Sequence, residues 1–395
     1  MGLGSIISGI AGALSGGAAG MPTEYKLKIT VDGAEIKERK SDPFFNLDFV
    51  EIKESVDGKA SSCYIRYGYP QFLYGKNGFD FGKFVGKFKM GSKIVISAVK
   101  QGKMTGTVLF IGYVYESDIN ISKDYPESGE CIFEVKALDG RLSTMKNKKT
   151  EIYKIQRSYS AVIDGILSRY KAVLSKGKVT AGKEKFAKCF YEYQCDESDY
   201  EFLIRIASRI GALFFVREGK YYFINPSIPE NSKFLTITPN DYVIKAKSKT
   251  TNWGIPDSVE IVTVNDKDVK KPIVGKTEKA SAIGSGKDAK SISKRTGLKS
   301  IMRYADNRFE SVKEAKDEAQ AIFDLRSLNL LTLNLKMVGS PSFKVGQRVN
   351  VAEFGKPIDN KYIITKIVHR FNAFGRKGTY TMELELKSNC VEVIK

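Results

Sequence analysis

The most regular alternation of apolar and polar positions runs from Glu197 to Asn225. Apolar side chains recur there at helical spacing and form one stripe: Leu203, Ile206, Ala207 and Ile210. Ser198 and Glu201 stand before the stripe at the spacing of a capping box, and Gly211 follows where a left-handed helix end favours glycine. The pattern predicts a helix that ends near residue 210.

Two runs of aromatic and β-branched residues come directly after this helix, Ala212–Arg217 and Lys220–Ile224. The pair Glu218-Gly219 separates them, which is typical of a two-residue hairpin turn. Many α+β domains contain a helix followed by a hairpin, so this pattern alone does not identify a function.

A period of two residues dominates the chain before residue 150. Tyr25–Val31 alternates polar and apolar side chains, and Asp32-Gly33 is a hairpin turn signal. Similar runs follow between turn clusters: Phe45–Ile52, Ser61–Tyr67, Ser92–Val99, Gly106–Tyr115 and Cys131–Leu138. Their spacing predicts a barrel or a sandwich over 22–150.

Helical spacing returns at Val162, Ile166 and Tyr170, so we predict an α/β middle domain over 151–235. A second region of β structure is expected over 236–395. Within it, 265–300 is rich in lysine, serine and glycine and is interpreted as an exposed excursion, and a helix is expected near 311–327.

A second distinctive block runs from Gly339 to Lys387 and places Val345-Gly346 just before a strand-like run. Together with the helix and hairpin of Glu197–Asn225, this block resembles the phage late-control D and VgrG-type baseplate hub proteins of contractile tails, tailocins and related injection systems. The resemblance implies an α+β, mainly β fold, in which two tube-protein-like β-barrels, over 22–150 and 236–395, flank a small α/β domain.

The resemblance also implies a structural role. Such a hub is a homotrimer that adapts a threefold spike to a sixfold tube and nucleates tube assembly. The expected partners are a tube protein ring, other baseplate proteins, a tape-measure chain and a spike protein. The spike is expected to be a separate polypeptide, because this chain stops at Lys395. No small-molecule substrate is expected. The protein would be made in the bacterial cytoplasm and assembled into a phage tail or tail-like particle.

The apolar, glycine-rich segment 1–21 lies outside the family pattern. It has no positive n-region typical of a signal peptide, and it is too rich in glycine for a confident membrane span. Five apolar residues fall at helical spacing: Leu3, Ile6, Ile7, Ile10 and Leu14. A frayed tail is the alternative. We favour partner binding by these five residues, either in the lumen of the trimer or against the tape-measure chain.

The charge and the cysteine content of the chain limit which partners and which chemistry are expected. Lysine and arginine number 64 against 45 acidic residues, a net charge of +19. Such a charge suits a nucleic acid or another acidic partner, but basic residues spread along the chain favour a solvated lysine-rich surface. The five cysteines show neither a disulfide framework nor metal-ligand spacing.

No catalytic, cofactor or metal site is predicted. His369 is the only histidine and lies in a strand-like run, so we interpret it as structural. A glycosidase needs only two carboxylates, and four acidic residues cluster at Asp196, Glu197, Asp199 and Glu201. The capping box accounts for Glu201 more simply. We therefore expect a protein that is not an enzyme, with a peptidoglycan hydrolase or a nucleic-acid-binding protein as the alternatives.

Overall fold

A computed structural model describes residues 25–36, 46–70, 81–121, 130–155, 158–183, 190–228, 233–265, 267–293, 299–305, 309–372 and 378–392. The fold is α+β and mainly β, which confirms the predicted class.

The described strands are β1 Tyr25–Val31, β2 Ala34–Glu35, β3 Asn46–Ser55, β4 Ser62–Pro70, β5 Lys93–Lys100, β6 Thr107–Ile121, β7 Glu130–Leu138, β8 Lys148–Ile155, β9 Ser175–Val179, β10 Phe190–Ser198, β11 Leu213–Arg217, β12 Lys220–Ile224, β13 Leu235–Ile237, β14 Val243–Thr250, β15 Ser258–Thr263, β16 Ile273–Thr277, β17 Ile301–Ala305, β18 Leu331–Val338, β19 Arg348–Val351, β20 Asn360–Asn372 and β21 Thr379–Ser388. The α-helices are α1 Phe81–Val85, α2 Tyr159–Ser168, α3 Asp199–Arg209, α4 Ala289–Ser293 and α5 Val312–Ser327, and a 3₁₀ helix spans Gly140–Met145.

One long sheet runs through the molecule in the order β14-β18-β21-β20-β3-β4-β7-β6-β5-β1-β2. We call β1–β7 the first β module, and β13, β14 and β18–β21 the second β module. The two modules join where β20 pairs antiparallel with β3, from Lys366 opposite Ser55 to Asn372 opposite Phe49. The two predicted barrels therefore share one continuous hydrogen-bonded ladder.

Each β module encloses its own apolar core. The first core contains Ile52, Ile65 and Phe133, and it also takes Phe371 and Tyr380 from the ends of β20 and β21. The second core is built mainly from strands of the second β module, with buried side chains such as Leu333 and Leu386, and it also takes Leu213 and Phe215 from β11. Alternation along the strands explains this: β21 buries every second side chain.

The middle of the chain forms an α/β unit in which α2 and α3 pack on the three-stranded sheet β11-β12-β9. Helix α3 starts at Asp199, and both hydrogen bonds of the predicted capping box are present. Leu203 and Ile206 are fully buried, so the apolar stripe faces the core as predicted.

A second small α/β unit lies within the region predicted as the second barrel. Strands β16, β15 and β17 form a three-stranded sheet, and α5 covers it with Ala315, Ala319 and Phe323. The segment 265–300 is therefore not simply an exposed excursion, since it supplies β16, α4 and the buried Ile283. The sequence hides this because β15 pairs in parallel with β17, which begins about forty residues further on.

Candidate interface site

The five residues predicted to bind a partner, Leu3, Ile6, Ile7, Ile10 and Leu14, lie outside the described residues. The structure does place the acidic cluster, the single histidine and the lysine residues of the sheet.

Glu201 acts as a helix cap in the structure. Its Oε2 accepts a hydrogen bond of 2.8 Å from the backbone N–H of Ser198, and the Ser198 Oγ accepts one of 3.2 Å from the N–H of Glu201. The backbone N–H of Ser198 holds the pKa of Glu201 below its usual value.

The neighbouring carboxylates also have structural partners. Asp199 is buried, and burial would raise its pKa. Hydrogen bonds from Tyr170 and Lys149 to Asp199 outweigh burial, so its pKa lies below the usual value. Glu197 accepts two hydrogen bonds from Arg205. These contacts tie α3 to β8, to β10 and to the segment that follows α2.

His369 lies buried in β20, opposite Ile52 of β3 and Met382 of β21. Its Nδ1 is 2.9 Å from the hydroxyl of Tyr380. Burial, aided by the charge of Lys344, lowers the pKa of His369 to about 3, so the imidazole is neutral at physiological pH. This position supports the structural interpretation of the histidine.

A polar joint links three parts of the molecule beside this histidine. Lys344 donates to the carbonyl of Val108 in β6 at 2.8 Å and pairs with Glu218 of the β11–β12 turn at 2.9 Å. The buried carboxyl of Glu54 faces this joint. Burial raises the pKa of Glu54 to about 7, although the charges of Lys344 and Arg217 act in the opposite direction.

A second buried joint centres on Arg141, whose side chain has no solvent exposure. Its guanidinium donates to both carboxylate oxygens of Asp139 and to the carbonyl of Gly58, the latter at 2.9 Å. Tyr200 of α3 donates to the same carbonyl at 2.8 Å. The 3₁₀ helix, the first β module and the middle unit are thus fixed to one another.

The outer face of the second β module carries a basic groove of about 530 Å³. We define it by four exposed lysines: Lys245, Lys247, Lys336 and Lys366. None of these lysines forms an ion pair with any residue that the structure describes. Glu383 and Glu385 also line the groove, but Arg370 and Thr365 already engage their carboxylates. The groove therefore has an excess of positive charge.

A larger cleft of about 1060 Å³ lies between α3 and α5. Ile204, Ile261 and Ile322 contribute apolar surface to it, and Arg326 and Lys366 contribute charge. The pair of helices and the strand ends around it belong to different units, so the cleft marks where the two small α/β units meet the second β module.

Among the residues that the structure describes, no three histidine, cysteine or acidic side chains are grouped so as to hold a metal ion. Over the same ranges no helix combines the length and apolar character needed to cross a membrane. Cys63 and Cys390 are buried free thiols, and Cys195 is an exposed one.

Sequence reasoning missed both the basic groove and the polar joint. A signal for the groove was present, because Lys245, Lys247 and Lys249 occupy every second position of β14. Such a period of two predicts a strand with one basic face. Glu54 offered no such signal, because its burial depends on residues far away in the sequence.

The fold is that of phage tail proteins. The 43 kDa tail protein of prophage MuSo2 from Shewanella oneidensis superimposes with a TM-score of 0.61 at 12% identity, covering 92% of this chain and 98% of that one. A tail protein from Neisseria meningitidis MC58 gives 0.61 at 13% identity, covering 92% and 96%. An Escherichia coli component of the type VI secretion system, described as similar to two phage T4 tail proteins, gives 0.54 at 10% identity, covering 91% and 76%.

The chain belongs to the family described as the Alg8 N-terminal domain, whose model matches residues 85–373. That description names a domain and gives no activity. No curated protein matches the sequence.

Proposed function

We propose that this chain is a structural baseplate hub of a contractile, tail-like injection particle. It forms a homotrimer that adapts a threefold spike to a sixfold tube and starts tube assembly. The observation that carries the proposal is the agreement of its fold with a 43 kDa tail protein, which covers 92% of this chain and 98% of that one.

The arrangement of the β modules supports this role. Two similar-sized cores sit side by side in one chain and share a continuous sheet through β3 and β20. Three such chains present six β modules, which is the number that a sixfold tube ring requires. The joints at Arg141 and Lys344 fix these modules to the α/β units, as a rigid adaptor needs.

The proposed partners are the tube protein ring, a separate spike protein, other baseplate proteins and a tape-measure chain. Residues Leu3, Ile6, Ile7, Ile10 and Leu14 are proposed to contact the tape-measure chain or the lumen. The protein would be made in the bacterial cytoplasm and carried in the finished particle.

Deleting the gene in a producing strain and imaging the particles tests the role. A hub is needed to start the tube, so we expect no assembled tubes, with recovery when the full chain is supplied. Normal tubes without the protein would overturn the proposal. A chain lacking Met1–Gly20 tests the terminal residues separately, since particles that assemble and fire normally would remove them from the interface.

A further inference from the structure

The cleft between α3 and α5 is lined by one face of each helix. Residues that lie three or four positions apart in a helix share a face. The lining residues follow this spacing on both helices, and they include Ile204, Arg205 and Ser208 of α3 and Ile322, Leu325 and Arg326 of α5. The cleft therefore presents two helical faces to whatever occupies it.

The two helices meet closely where α3 ends. Gly211 follows α3 with a φ of +60°, and a side chain there would lie 2.1 Å from the carbonyl oxygen of Ala321 in α5. Only glycine permits such an approach. The lined face of α3 reaches back from this end to Glu201, about 15 Å along the axis at about 1.5 Å per residue. That length corresponds to about three turns of an added helix.

Part of the lining is apolar. Ile261 and Ile322 are buried within the chain, whereas Ile204 and Leu325 remain partly exposed. Covering these two side chains with a further apolar surface would remove them from water, which is favourable. The cleft thus offers an apolar contact to an occupant.

The charges of the lining leave two cations without a partner. Its carboxylates are already engaged within the chain, those of Asp57, Glu201 and Glu385 by Lys59, Ser198 and Thr365 respectively. Arg326 and Lys366 are exposed, and neither forms an ion pair with any residue that the structure describes. An occupant with carboxylates would supply the charge that these two side chains lack.

From these observations we infer that the cleft between α3 and α5 binds an acidic amphipathic helix of a partner protein. Its apolar stripe covers Ile204 and Leu325, and its flanking carboxylates pair with Arg326 and Lys366. A helix suits the cleft better than a strand, because the ridges and grooves of two helical faces receive the side chains of another helix. The inference goes beyond the hub role, since it concerns a surface of the single chain.

A second copy of this chain does not provide such a helix within the described residues. The apolar stripes of α2, α3 and α5 are buried in the cores of their own units. Helices α1 and α4 have five residues each, which is too short for three turns. The occupant is therefore a different polypeptide.

Binding of a designed peptide tests the inference. The probe is a fluorescein-labelled peptide of about fourteen residues, with leucine at helical spacing and glutamate elsewhere. Fluorescence anisotropy on titration with the full chain should show saturable binding. We expect it to weaken at least about tenfold in the chain carrying both Arg326→Glu and Lys366→Glu, because two attractive contacts become repulsive. Both side chains are exposed and unpaired, so this variant should fold, which circular dichroism checks.

Two matched controls separate the cleft from general charge and stickiness. The chain carrying Lys313→Glu and Lys316→Glu has the same charge change at exposed positions of α5 outside the cleft, and it should bind the probe like wild type. A second peptide has the same leucine and glutamate content in strict alternation, which favours a strand. We expect it to bind at least about tenfold more weakly than the helical probe.

Four results would overturn the inference. Equal binding of the two peptides would show that the cleft does not select a helix. Binding of the probe that ignores the reversal of Arg326 and Lys366 would place the contact elsewhere. No binding up to about 1 mM peptide would leave the cleft without this function. Decanoate that binds in the cleft while the peptide does not would assign it to a small anionic amphiphile. None of these results bears on the hub role, which the gene deletion decides.

Discussion

The centre of the long sheet and its two ends differ in how their charges face one another. At the centre, Arg370 of β20 binds Glu51 of β3 at 2.8 Å and Glu383 of β21 at 2.6 Å. At the ends, lysine faces lysine across β14 and β18, and aspartate faces glutamate across β6 and β7. The centre therefore pairs opposite charges across neighbouring strands, whereas each end places two like charges directly opposite one another.

The largest loss of stability is expected on breaking the buried ion pair of Arg141 and Asp139. Arg141→Met leaves the buried carboxylate of Asp139 without its cationic partner, although the backbone N–H groups of Ser61 and of residue 141 still donate to it. Because an unpaired buried charge is costly, the free energy of unfolding should fall by about 3–5 kcal/mol. Urea denaturation followed by circular dichroism measures this. Lys59→Met removes an exposed ion pair with Asp57 and serves as the control. Equal losses in Arg141→Met and Lys59→Met would contradict the expectation that the buried ion pair stabilises the fold more than the exposed one.

The second-largest effect is the pH dependence of stability that Glu54, at the polar joint, is expected to cause. The pKa of Glu54 is about 7 in the folded chain against 4.5 for an ordinary glutamate. Protonated Glu54 therefore favours folding, and this contribution is lost as pH rises from about 4.5 through 7. Since one pKa unit equals about 1.4 kcal/mol, the loss reaches about 3 kcal/mol.

Glu54→Gln should remove this dependence. The unfolding free energy of the variant minus that of wild type should rise between about pH 4.5 and 8, because only wild type has a carboxyl to deprotonate there. Taking the difference cancels the opposite trend of His369, whose low folded pKa weakens the fold as pH falls below about 6.5. Glu35→Gln, on an exposed strand, is the control. Parallel pH profiles for Glu54→Gln and wild type would show that the carboxyl does not titrate near neutrality.

A smaller loss is expected at the centre of the sheet. Arg370→Ala removes two ion pairs at once, but the arginine side chain is 30% exposed and solvent screens the interaction. We expect a decrease of about 1 kcal/mol in the free energy of unfolding. Thermal and urea denaturation both measure it. An unchanged free energy of unfolding would mean that the ion pairs of Arg370 do not stabilise the centre of the sheet.

The smallest effect should be a gain in stability rather than a loss. Lys245→Thr removes one member of the like-charge pair with Lys336 and adds a residue that favours strands. The isolated chain should gain about 0.2–0.5 kcal/mol. Measurement at low protein concentration keeps association out of the result. If Lys245→Thr lost stability instead, Lys245 would have to make a favourable contact within its own chain.

Local signals explain what the sequence could predict. The capping box, the apolar stripe and the turn at Glu218-Gly219 lie within 29 consecutive residues, so α3 and the β11–β12 hairpin follow from neighbours in the chain. The same holds for the alternating strands of the first β module. Glu201 was correctly assigned to the helix cap because the cap is itself a local structure.

Long-range pairing explains what the sequence could not predict. The junction of β3 with β20 joins residues more than three hundred positions apart, and no local pattern signals it. The like-charge pairs depend on register between strands and therefore also escaped detection. The small sheet of β15, β16 and β17 was overlooked because its polar, lysine-rich connections dominate the composition of 265–300.

The dependence of the first core on Phe371 and Tyr380 has a consequence during synthesis. A ribosome releases the N-terminal strands long before it reaches these two aromatic residues. The core of the first β module therefore stays incomplete until Tyr380 has emerged from the ribosome. We expect a chain that is terminated before Phe371 to remain incompletely folded, even though it contains every strand of that module.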